Sequence, residues 1–507
     1  MSRRTAPTTL LDLLHSIPAD QIAVIDPEGN IRVTYGALRR QVQSVAEALV
    51  AAGIGRGDRV GMALPNGIPT IVSFLAASMA GTAAPLNPGY KEEEFRFYLG
   101  DTDARVLLLP ADGAADARRA AADRVPVLTV EMDPAGEVRL SGAAGGRPFE
   151  PPTVDDVALI LHTSGSTGRP KRVPLTHANL SISAGNVARS YALTARDVSL
   201  CVMPLFHVHG LVASTLATLS TGGTVVVPGK FNPLSFWRIV RDHGVTWYSA
   251  VPTLHQLLIA RSGKGAGAAR PEGAENLRFI RSCSASLPPQ VMHDLESAFG
   301  VPVLEAYGMT EAAHQMASNP LPPGPRIPGS VGPGTEVRIS IMDEQGHHLP
   351  AGDRGEVVIQ GPNVIRGYEN NPEANATSFV DGWIRTGDQG FLGPDGYLTL
   401  VGRLKELINR GGEKVSPREI DEVLLTHPAI AEAVCFGVPH PTWGEEVSAA
   451  VVLHGAATEA ELIGYCRERL ADYKRPKQIH ITDSIPRTAT GKIQRRVVAQ
   501  VFGPKAS

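Results

Sequence analysis

Apolar runs of strand length alternate with amphipathic stretches of helix length along most of the chain. The pattern predicts strands at residues 59–64, 104–109, 245–250 and 277–281, and helices at residues 68–80 and 92–99. Two further helices are expected to begin near Pro252 and Pro288. Proline suits the first helical turn because its missing N–H would be unpaired there anyway. This alternation predicts an α/β fold of layered, largely parallel sheets.

The chain end has a pattern of its own after a change of composition near residues 390–404. Helices are expected at residues 416–426 and 459–470, with strands at residues 431–438 and 447–453 between them. These elements make a compact α+β unit of about 100 residues, which is enough for a small domain. We predict a large N-terminal domain over residues 1–402 and a small C-terminal domain over residues 403–507.

Residues 111–152 are rich in alanine, glycine, aspartate and proline. They contain a weak hairpin-like pair at residues 127–130 and 137–140. Because turn-forming residues dominate the segment, we interpret it as a surface crossing between elements rather than a domain.

Composition excludes several classes of protein. A length of 507 residues predicts two to four domains, and a net charge of −3 gives no overall field for nucleic acid or anionic lipid. No apolar run is long enough to span a membrane, and the first residues are too charged for a signal peptide. Four widely spaced cysteines predict reduced thiols in the cytoplasm. The oligomeric state stays open between monomer and homodimer.

A segment rich in serine, threonine and glycine follows the apolar run at residues 157–161. Residues 162–176 are HTSGSTGRPKRVPLT, and six of the seven residues 163–169 are Ser, Thr or Gly. Small side chains let backbone N–H groups approach phosphate oxygens closely, and Lys171 adds a positive charge. The spacing is neither GxxxxGK[ST] nor GxSxG. Taken alone, the composition also fits a flexible loop with a solvated lysine.

Four further strings occur in order: YGMTE at 307–311, TGD at 386–388, GRLKELINRGG at 402–412 and PRTATGK at 486–492. With the first string, they resemble the signatures of the adenylate-forming superfamily of acyl-CoA synthetases, luciferases and peptide-synthetase adenylation domains. The resemblance covers essentially the whole chain. It implies a large domain with a distorted β-barrel part, a small mobile domain, and ATP, Mg²⁺ and CoA as reactants. A carboxylate would be activated with release of pyrophosphate and then passed to a thiol.

The resemblance also implies residue roles. Tyr307 would stack on adenine, Thr310 would bond the α-phosphate, and Asp388, supported by Arg403, would take the ribose hydroxyls. Glu311 would hold Mg²⁺, since a hard cation suits carboxylate and phosphate oxygens. The implied ATP contacts are Thr163, Ser164, Gly165, Ser166, Thr167, Gly168, Lys171, Ser284, Ala285, Ser286, Glu305, Ala306, Tyr307, Thr310, Asp388, Arg403 and Lys492.

Lys492, in the TGK turn, is expected to bridge the substrate carboxylate and the α-phosphate. Its implied catalytic companions are Glu311, Thr310 and His207. Lys405 lies where the superfamily has its hinge, and such a hinge needs residues that absorb large φ/ψ changes. Two further sets of residues are implied for CoA: Gly411 and Gly412 beside the thiol tunnel, and Lys474 and Arg475, with Lys477, at the CoA phosphates. The basic cluster could equally be a solvated face.

Strings between these motifs are similar to the acyl-CoA synthetase branch that activates oxalate. They are PLFHVHG at 204–210, TWYSAVPTLH at 246–255, RFIRSCSASL at 278–287, EAYGMTEAAHQMASNP at 305–320 and KELINRGGEKV at 405–415. Gly308, where that branch is expected to have alanine, and Arg172, where glycine is usual, are departures. Neither removes a functional group, although Arg172 adds bulk beside the phosphate loop.

A very small diacid requires polar groups in the acyl pocket, because burying its second carboxylate without donors costs several kcal/mol. The residues that we predict to contact the acid are His207, His209, Ser284, His314, Arg281 and Lys492. His207 is favoured over His209 for gating the site or bonding the carboxylate. His314 could instead be a hydrogen-bonded core histidine, and Arg281 could pair with an internal acid such as Glu305.

Other substrates remain open within the same chemistry. Malonate, a medium-chain fatty acid or an aromatic acid could replace oxalate. A stand-alone adenylation domain that loads a carrier protein is an alternative of a different class.

Overall fold

A computed structural model describes residues 6–142, 148, 150–163, 170–262, 269–488 and 491–503. The predicted phosphate-loop residues Ser164, Gly165, Ser166, Thr167 and Gly168 lie outside the described residues. The mixed α/β class is confirmed: the described residues form four sheets with helices packed against them.

The strands, in chain order, are β1 Ile22–Asp26, β2 Ile31–Thr34, β3 Arg59–Met62, β4 Thr82–Pro85, β5 Ala104–Pro110, β6 Val127–Met132, β7 Val138–Ser141, β8 Val157–Thr163, β9 Lys171–Thr176, β10 Val198–Leu200, β11 Thr224–Val226, β12 Trp247–Ala250, β13 Phe279–Ser282, β14 Val303–Met309, β15 His314–Ser318, β16 Arg338–Met342, β17 Gly355–Gln360, β18 Phe379–Val380, β19 Trp383–Leu392, β20 Leu398–Arg403, β21 Ile408–Arg410, β22 Glu413–Val415, β23 Ile430–His440, β24 Gly444–Leu453 and β25 Gln478–Ile481.

The α-helices are α1 Asp12–His15, α2 Tyr35–Ala51, α3 Ile68–Ala80, α4 Glu92–Asp101, α5 Ala115–Ala121, α6 His177–Ser190, α7 Ala217–Leu219, α8 Phe236–Asp242, α9 Pro252–Arg261, α10 Pro289–Phe299, α11 Pro372–Ser378, α12 Pro417–Leu425, α13 Glu459–Arg467 and α14 Arg495–Phe502. A π-helix, His209–Leu216, precedes α7.

Two large sheets form the first part of the chain. The eight-stranded sheet has the order β15-β14-β13-β12-β10-β11-β1-β2, and the seven-stranded sheet has the order β7-β6-β5-β3-β4-β8-β9. Neighbouring strands inside each sheet are parallel, and antiparallel strands close both edges of each. Parallel strands need crossover helices, which explains the alternation in the sequence.

Helix α3 packs into the main hydrophobic core, where it contacts strands of both large sheets. All of its residues except Pro69 are buried. A helix that is apolar all round must be covered all round, and packing against both sheets meets that requirement.

The other two sheets are smaller. The third has the order β16-β17-β19-β18 with β20 on β19, is antiparallel throughout and stays open across the described residues. The expected distorted barrel part is therefore not a closed barrel. The fourth sheet, β22-β21-β24-β23 with β25 on β24, draws all its strands from beyond residue 407. The boundary at residues 402 and 403 and the hinge at Lys405 stay predictions.

The interpretation of residues 111–152 as a surface crossing was wrong in one respect. Their hairpin exists as β6 and β7, but β6 also pairs in parallel with β5 and so extends the seven-stranded sheet. Leu128, Val130 and Val138 are buried in the main core. The Gln41 side chain of α2 donates to the Gly136 carbonyl at 3.0 Å and accepts from the Val138 N–H at 3.1 Å. This buried amide therefore satisfies the hydrogen-bonding groups of the hairpin backbone at Gly136 and Val138.

His177 joins the N-terminal segment to the core at the start of α6. Its Nε2 donates to the Ser78 carbonyl at 2.9 Å, and its Nδ1 accepts from the Leu10 N–H at 3.2 Å. Only a neutral imidazole can donate at one nitrogen and accept at the other. Burial lowers the pKa of His177 from 6.5 to about 4.

This arrangement predicts a specific loss of stability in acid. Between pH 6.5 and about 4 the unfolded chain binds a proton at His177 that the folded chain does not, so stability falls as the pH falls. His177→Gln removes this titration. From about pH 7 to about pH 5, urea unfolding of the wild type should lose about 2 kcal/mol more than the variant does. An equal pH dependence in the two proteins would contradict the assignment.

Candidate active site

The ends of the predicted phosphate loop are fixed by an antiparallel strand pair. Thr163, the last residue of β8, pairs with Lys171, the first residue of β9. The departure at Arg172 is explained by its partners: its Nη1 donates to the Asp101 carbonyl at 2.7 Å and lies 3.3 Å from Glu369 Oε1. The Arg172 side chain therefore contacts the end of α4 and Glu369.

Lys171 and Glu311 meet at one tyrosine. The Lys171 ammonium lies 4.3 Å from the centre of the Tyr368 ring, and the Tyr368 hydroxyl donates to Glu311 Oε1 at 2.9 Å. Burial raises the pKa of Glu311, while the Tyr368 hydrogen bond and the Lys171 charge oppose the rise. Thr310 begins the buried 3₁₀ turn that carries Glu311. The arrangement places a carboxylate and an ammonium beside the end of the phosphate loop.

The residues predicted for the nucleoside gather at the end of β14. The Tyr307 hydroxyl donates to Asp388 Oδ2, and Arg403 Nε lies 3.2 Å from Asp388 Oδ1. Ala306 is buried, whereas Ala285 and Ser286 are exposed. Oε1 of Glu305 accepts from the Leu287 N–H at 3.0 Å, its Oε2 has no partner among the described residues, and burial raises its pKa to about 7.

Arg281 is fully buried and surrounded by neutral partners. Its Nε donates to the Tyr191 hydroxyl at 2.8 Å, its Nη1 to Ser249 Oγ at 2.9 Å, and its Nη2 to Gln315 Oε1 at 3.0 Å. Ser249 and Arg281 are register neighbours on the parallel strands β12 and β13. Within the described part of the chain, no carboxylate forms an ion pair with this guanidinium.

The suggested pairing of Arg281 with Glu305 is therefore wrong. Arg281 lies opposite Leu304, and Ser282 lies opposite Glu305. Because successive side chains alternate between the faces of a sheet, the two charged groups lie on opposite faces.

Two histidines lie directly against Arg281. His209 Nε2 and His314 Nδ1 are 3.5 Å and 3.4 Å from the Arg281 Nη atoms, and the ring centres are 5.2 Å apart. His209 also contacts Ser284 Oγ through Nδ1 at 2.9 Å and Ser249 Oγ through Nε2 at 2.6 Å. Burial, reinforced by Arg281, holds the pKa of both imidazoles well below its usual range. Both rings are therefore neutral at physiological pH.

The backbone at these residues is unusual. Ser284, Ala313 and His314 have φ values of 73°, 50° and 119°, although none is glycine. His209 begins the π-helix. Positive φ costs about 1–3 kcal/mol at a non-glycine residue, and both it and π-helical turns concentrate at functional sites. The strained turn is held by Ser183 Oγ, which donates to the Ala313 carbonyl at 2.8 Å.

Lys492 and His207 approach the same region from different parts of the chain. Burial lowers the pKa of Lys492, and Arg403 lowers it further. Burial, with a smaller contribution from Lys492, lowers the pKa of His207 to about 3. Gly491 places the lysine turn against Val251 and Thr253 at the start of α9. The structure therefore brings the C-terminal lysine to residues of the first 400.

The residues predicted for CoA are placed differently. Gly411 and Gly412, with φ values of 60° and 92°, form the turn between β21 and β22, and the Gly411 N–H donates to the Trp443 carbonyl at 2.8 Å. Lys474 pairs with Glu419 at 2.7 Å and Arg475 with Asp472 at 2.6 Å. These two cations are thus engaged within the C-terminal part rather than gathered with Lys492.

Sequence reasoning missed four residues of the site, namely Tyr191, Ser249, Gln315 and Tyr368. Ser249 and Gln315 lie inside strings used to identify the chain, but nothing in their local pattern marks them. Their role comes from the register of β12, β13 and β15, which joins residues far apart in sequence.

The departure at Gly308 yields a testable prediction. A Cβ at this position would lie 2.1 Å from the carbonyl oxygen of His314 on the adjacent strand. Gly308→Ala should therefore force β14 and β15 apart and destabilise the protein by about 1–3 kcal/mol in urea unfolding. Gly464→Ala is the control, because a Cβ there meets no atom within 4 Å apart from the nearby backbone of its own helix, α13. Equal free energies of unfolding for the two variants would contradict this prediction. They would show that β15 can move away from a Cβ at residue 308 at little cost.

Comparison with known proteins agrees with this geometry. Residues 15–369 match the family described as AMP-binding enzyme, and residues 419–492 match its C-terminal domain. The chain is 48% identical to an oxalate–CoA ligase of Arabidopsis thaliana, with 94% of each chain covered. It is 43% identical to an oxalate–CoA ligase of Saccharomyces cerevisiae, with 96% of this chain and 95% of the relative covered.

A solved structure shares the whole architecture. The chain superposes with a TM-score of 0.83 on the O-succinylbenzoate coenzyme A synthetase of Bacillus subtilis in complex with ATP and magnesium ion. The identity is 30%, over 97% of this chain and 99% of that one. The chain belongs to the AMP-binding enzyme family.

Proposed function

We propose that the protein is an ATP-dependent, AMP-forming acid–CoA ligase whose acid is oxalate. The observation that carries the choice of acid is Arg281, a buried cation with only neutral partners, beneath His209, His314 and Ser284. A buried charge without a counter-ion is unfavourable, and an anion bound nearby reduces that cost even without direct contact. Two relatives that share more than 40% of their residues with this chain are named oxalate–CoA ligases.

In the first step one carboxylate of the acid attacks the α-phosphate of ATP and pyrophosphate leaves. Both reactants are anions, so the site must supply positive charge where they meet. Lys492 would bridge the carboxylate and the α-phosphate, Thr310 would bond that phosphate, and Lys171 would hold the outer phosphates. Glu311 would hold Mg²⁺, which neutralises phosphate charge when bound, and a carboxylate is the ligand type that this ion prefers.

The nucleoside would occupy the wall formed by residues 284–286 and the end of β14. Tyr307 would stack on adenine, and Asp388, oriented by Arg403, would accept from the ribose hydroxyls. Both Asp388 oxygens already have partners, at Tyr307 and Arg403. The ribose must therefore add to that network or displace the tyrosine.

The second carboxylate would lie against Ser284, His209 and His314, with His207 between this pocket and Lys492. In the second step CoA attacks the acyl-adenylate and AMP leaves. We propose that the small domain rotates about Lys405, which withdraws Lys492 and brings the turn at Gly411 and Gly412 to the thiol path. Lys474 and Arg475 would meet CoA phosphates only by leaving Glu419 and Asp472.

A panel of acids tests the proposal. Pyrophosphate release would be measured with Mg·ATP and CoA on oxalate, malonate, acetate, octanoate and coumarate. Oxalate should lead by about a hundredfold in kcat/KM, which corresponds to about 2.7 kcal/mol of differential transition-state binding. A lead by octanoate or coumarate would contradict a polar acid pocket. Faster transfer to a pantetheinylated carrier protein than to CoA would contradict the choice of acceptor.

Pocket variants test the residues themselves. Ser284→Ala and His314→Ala each remove a polar partner of the second carboxylate, so the KM for oxalate should rise on the order of 10- to 100-fold. In His314→Ala, whose side chain is assigned only to the acid, the KM for ATP should stay close to that of the wild type. Ser282→Ala is the control. Ser282 lies two residues before Ser284, and its buried hydroxyl has no partner among the described residues. Unchanged oxalate kinetics in both pocket variants would remove these residues from the site.

A further inference from the structure

Arg281 has no donor left over for a substrate. Its Nε and both Nη atoms face Tyr191, Ser249, Gln315 and the two histidine rings, and its side chain is fully buried. A guanidinium carries five N–H donors and no acceptor. Any group that faces it must therefore present a lone pair. This requirement fixes the direction of every hydrogen bond around it.

We propose that Arg281 is a positioning residue that sets the tautomers of His209 and His314, and so points Ser284 O–H at the anionic end of the acid. The inference rests on the proposed function for the identity of that acid, but not for the tautomers themselves. It also replaces the expectation that Arg281 touches the substrate directly.

The first branch of this network runs through Ser249. Arg281 Nη1 donates to Ser249 Oγ at 2.9 Å and lies 3.5 Å from His209 Nε2. A proton on Nε2 would face the Arg281 N–H, so Nε2 keeps its lone pair and accepts from the Ser249 hydroxyl at 2.6 Å. The His209 proton is then on Nδ1.

From Nδ1 the direction continues to the pocket. His209 Nδ1–H donates to Ser284 Oγ at 2.9 Å, so the Ser284 hydroxyl proton is free to point elsewhere. Ser284 is half-buried at the start of the exposed residues Ala285 and Ser286. A chain of donors thus starts at the guanidinium and ends at a half-buried hydroxyl beside exposed residues. Such chains polarise each successive bond, which strengthens the final donor.

The second branch acts directly on His314. Its Nδ1 faces Arg281 Nη2 at 3.4 Å, so this nitrogen also keeps its lone pair. The proton of the neutral ring is then on Nε2, which lies 4.0 Å from Cys283 Sγ. The two rings carry their protons on different nitrogens, but in each case on the nitrogen turned away from Arg281.

The first test reads the tautomers in the wild-type protein without substrate. Long-range ¹H–¹⁵N spectra of protein labelled at histidine report which ring nitrogen carries the proton, and His209→Gln and His314→Gln assign the signals. The proposal expects a proton on Nδ1 of His209 and on Nε2 of His314 in the protein without substrate. A proton on the nitrogen facing Arg281 in either ring would overturn it. Turnover of oxalate plays no part in this result, so it is separable from the proposed function.

Variants test the consequence for binding. Ser249→Ala interrupts the first branch while leaving Arg281 in place, and should raise the KM for the acid about tenfold with kcat and the KM for ATP within about twofold. Arg281→Met removes both branches, and the His314 signal should then lose its single tautomer. Ser282 is buried and lies on the same strand as Arg281, so Ser282→Ala should change neither the kinetics nor the histidine spectra.

A purely structural role for Arg281 makes different predictions. In that case Arg281→Met would lower stability and kcat without moving the proton of His314. If Arg281→Met does not fold, Ser249→Ala and the wild-type spectra still decide the matter. An unchanged KM for the best acid in Ser249→Ala would overturn the role in substrate binding.

Discussion

A full positive charge at Arg281, buried between two sheet strands with neutral partners, constrains everything around it. Such a charge is tolerated only where every N–H finds an acceptor. Three of these acceptors are supplied by Tyr191, directly after α6, by Ser249 on β12 and by Gln315 on β15. The strand register brings these acceptors to the guanidinium, and its charge reinforces the effect of burial in keeping the nearby histidines neutral.

The residues that we propose for the nucleotide lie at strand ends and sheet edges instead. The antiparallel pair of β8 and β9 fixes where the phosphate segment leaves and returns, and β14 ends in the turn that carries Thr310 and Glu311. Tyr368 links Lys171 to Glu311 through its ring and its hydroxyl. An ammonium at the start of β9 and a carboxylate just after β14 thus lie close together, where we propose that the two anionic reactants meet.

How much the sequence could predict depended on whether a signal was local. Helix α3 was predicted with its observed bounds, because a proline in its first turn and a largely apolar run mark it. The strand β6 was recognised only as part of a hairpin. Its pairing with β5 joins strands that α5 separates in sequence, and no local pattern marks such a pairing. Ser249 and Gln315 were missed for the same reason, and the pairing of Arg281 with Glu305 failed because register puts them on opposite faces. The strings that resemble a family predicted the reaction and most of the candidate site residues. The strand pairing revealed which other side chains lie beside them.

The strained turn at Ala313 and His314 has a consequence for protein engineering. Glycine at residue 313 would adopt its φ of 50° without steric conflict, so the folded chain would gain about 1 kcal/mol from the relief of strain. The same exchange would loosen the peptide that orients the His314 imidazole. Selection for heat resistance alone would therefore favour substitutions in this turn. The resulting enzymes would be more stable but would bind a small anion more weakly.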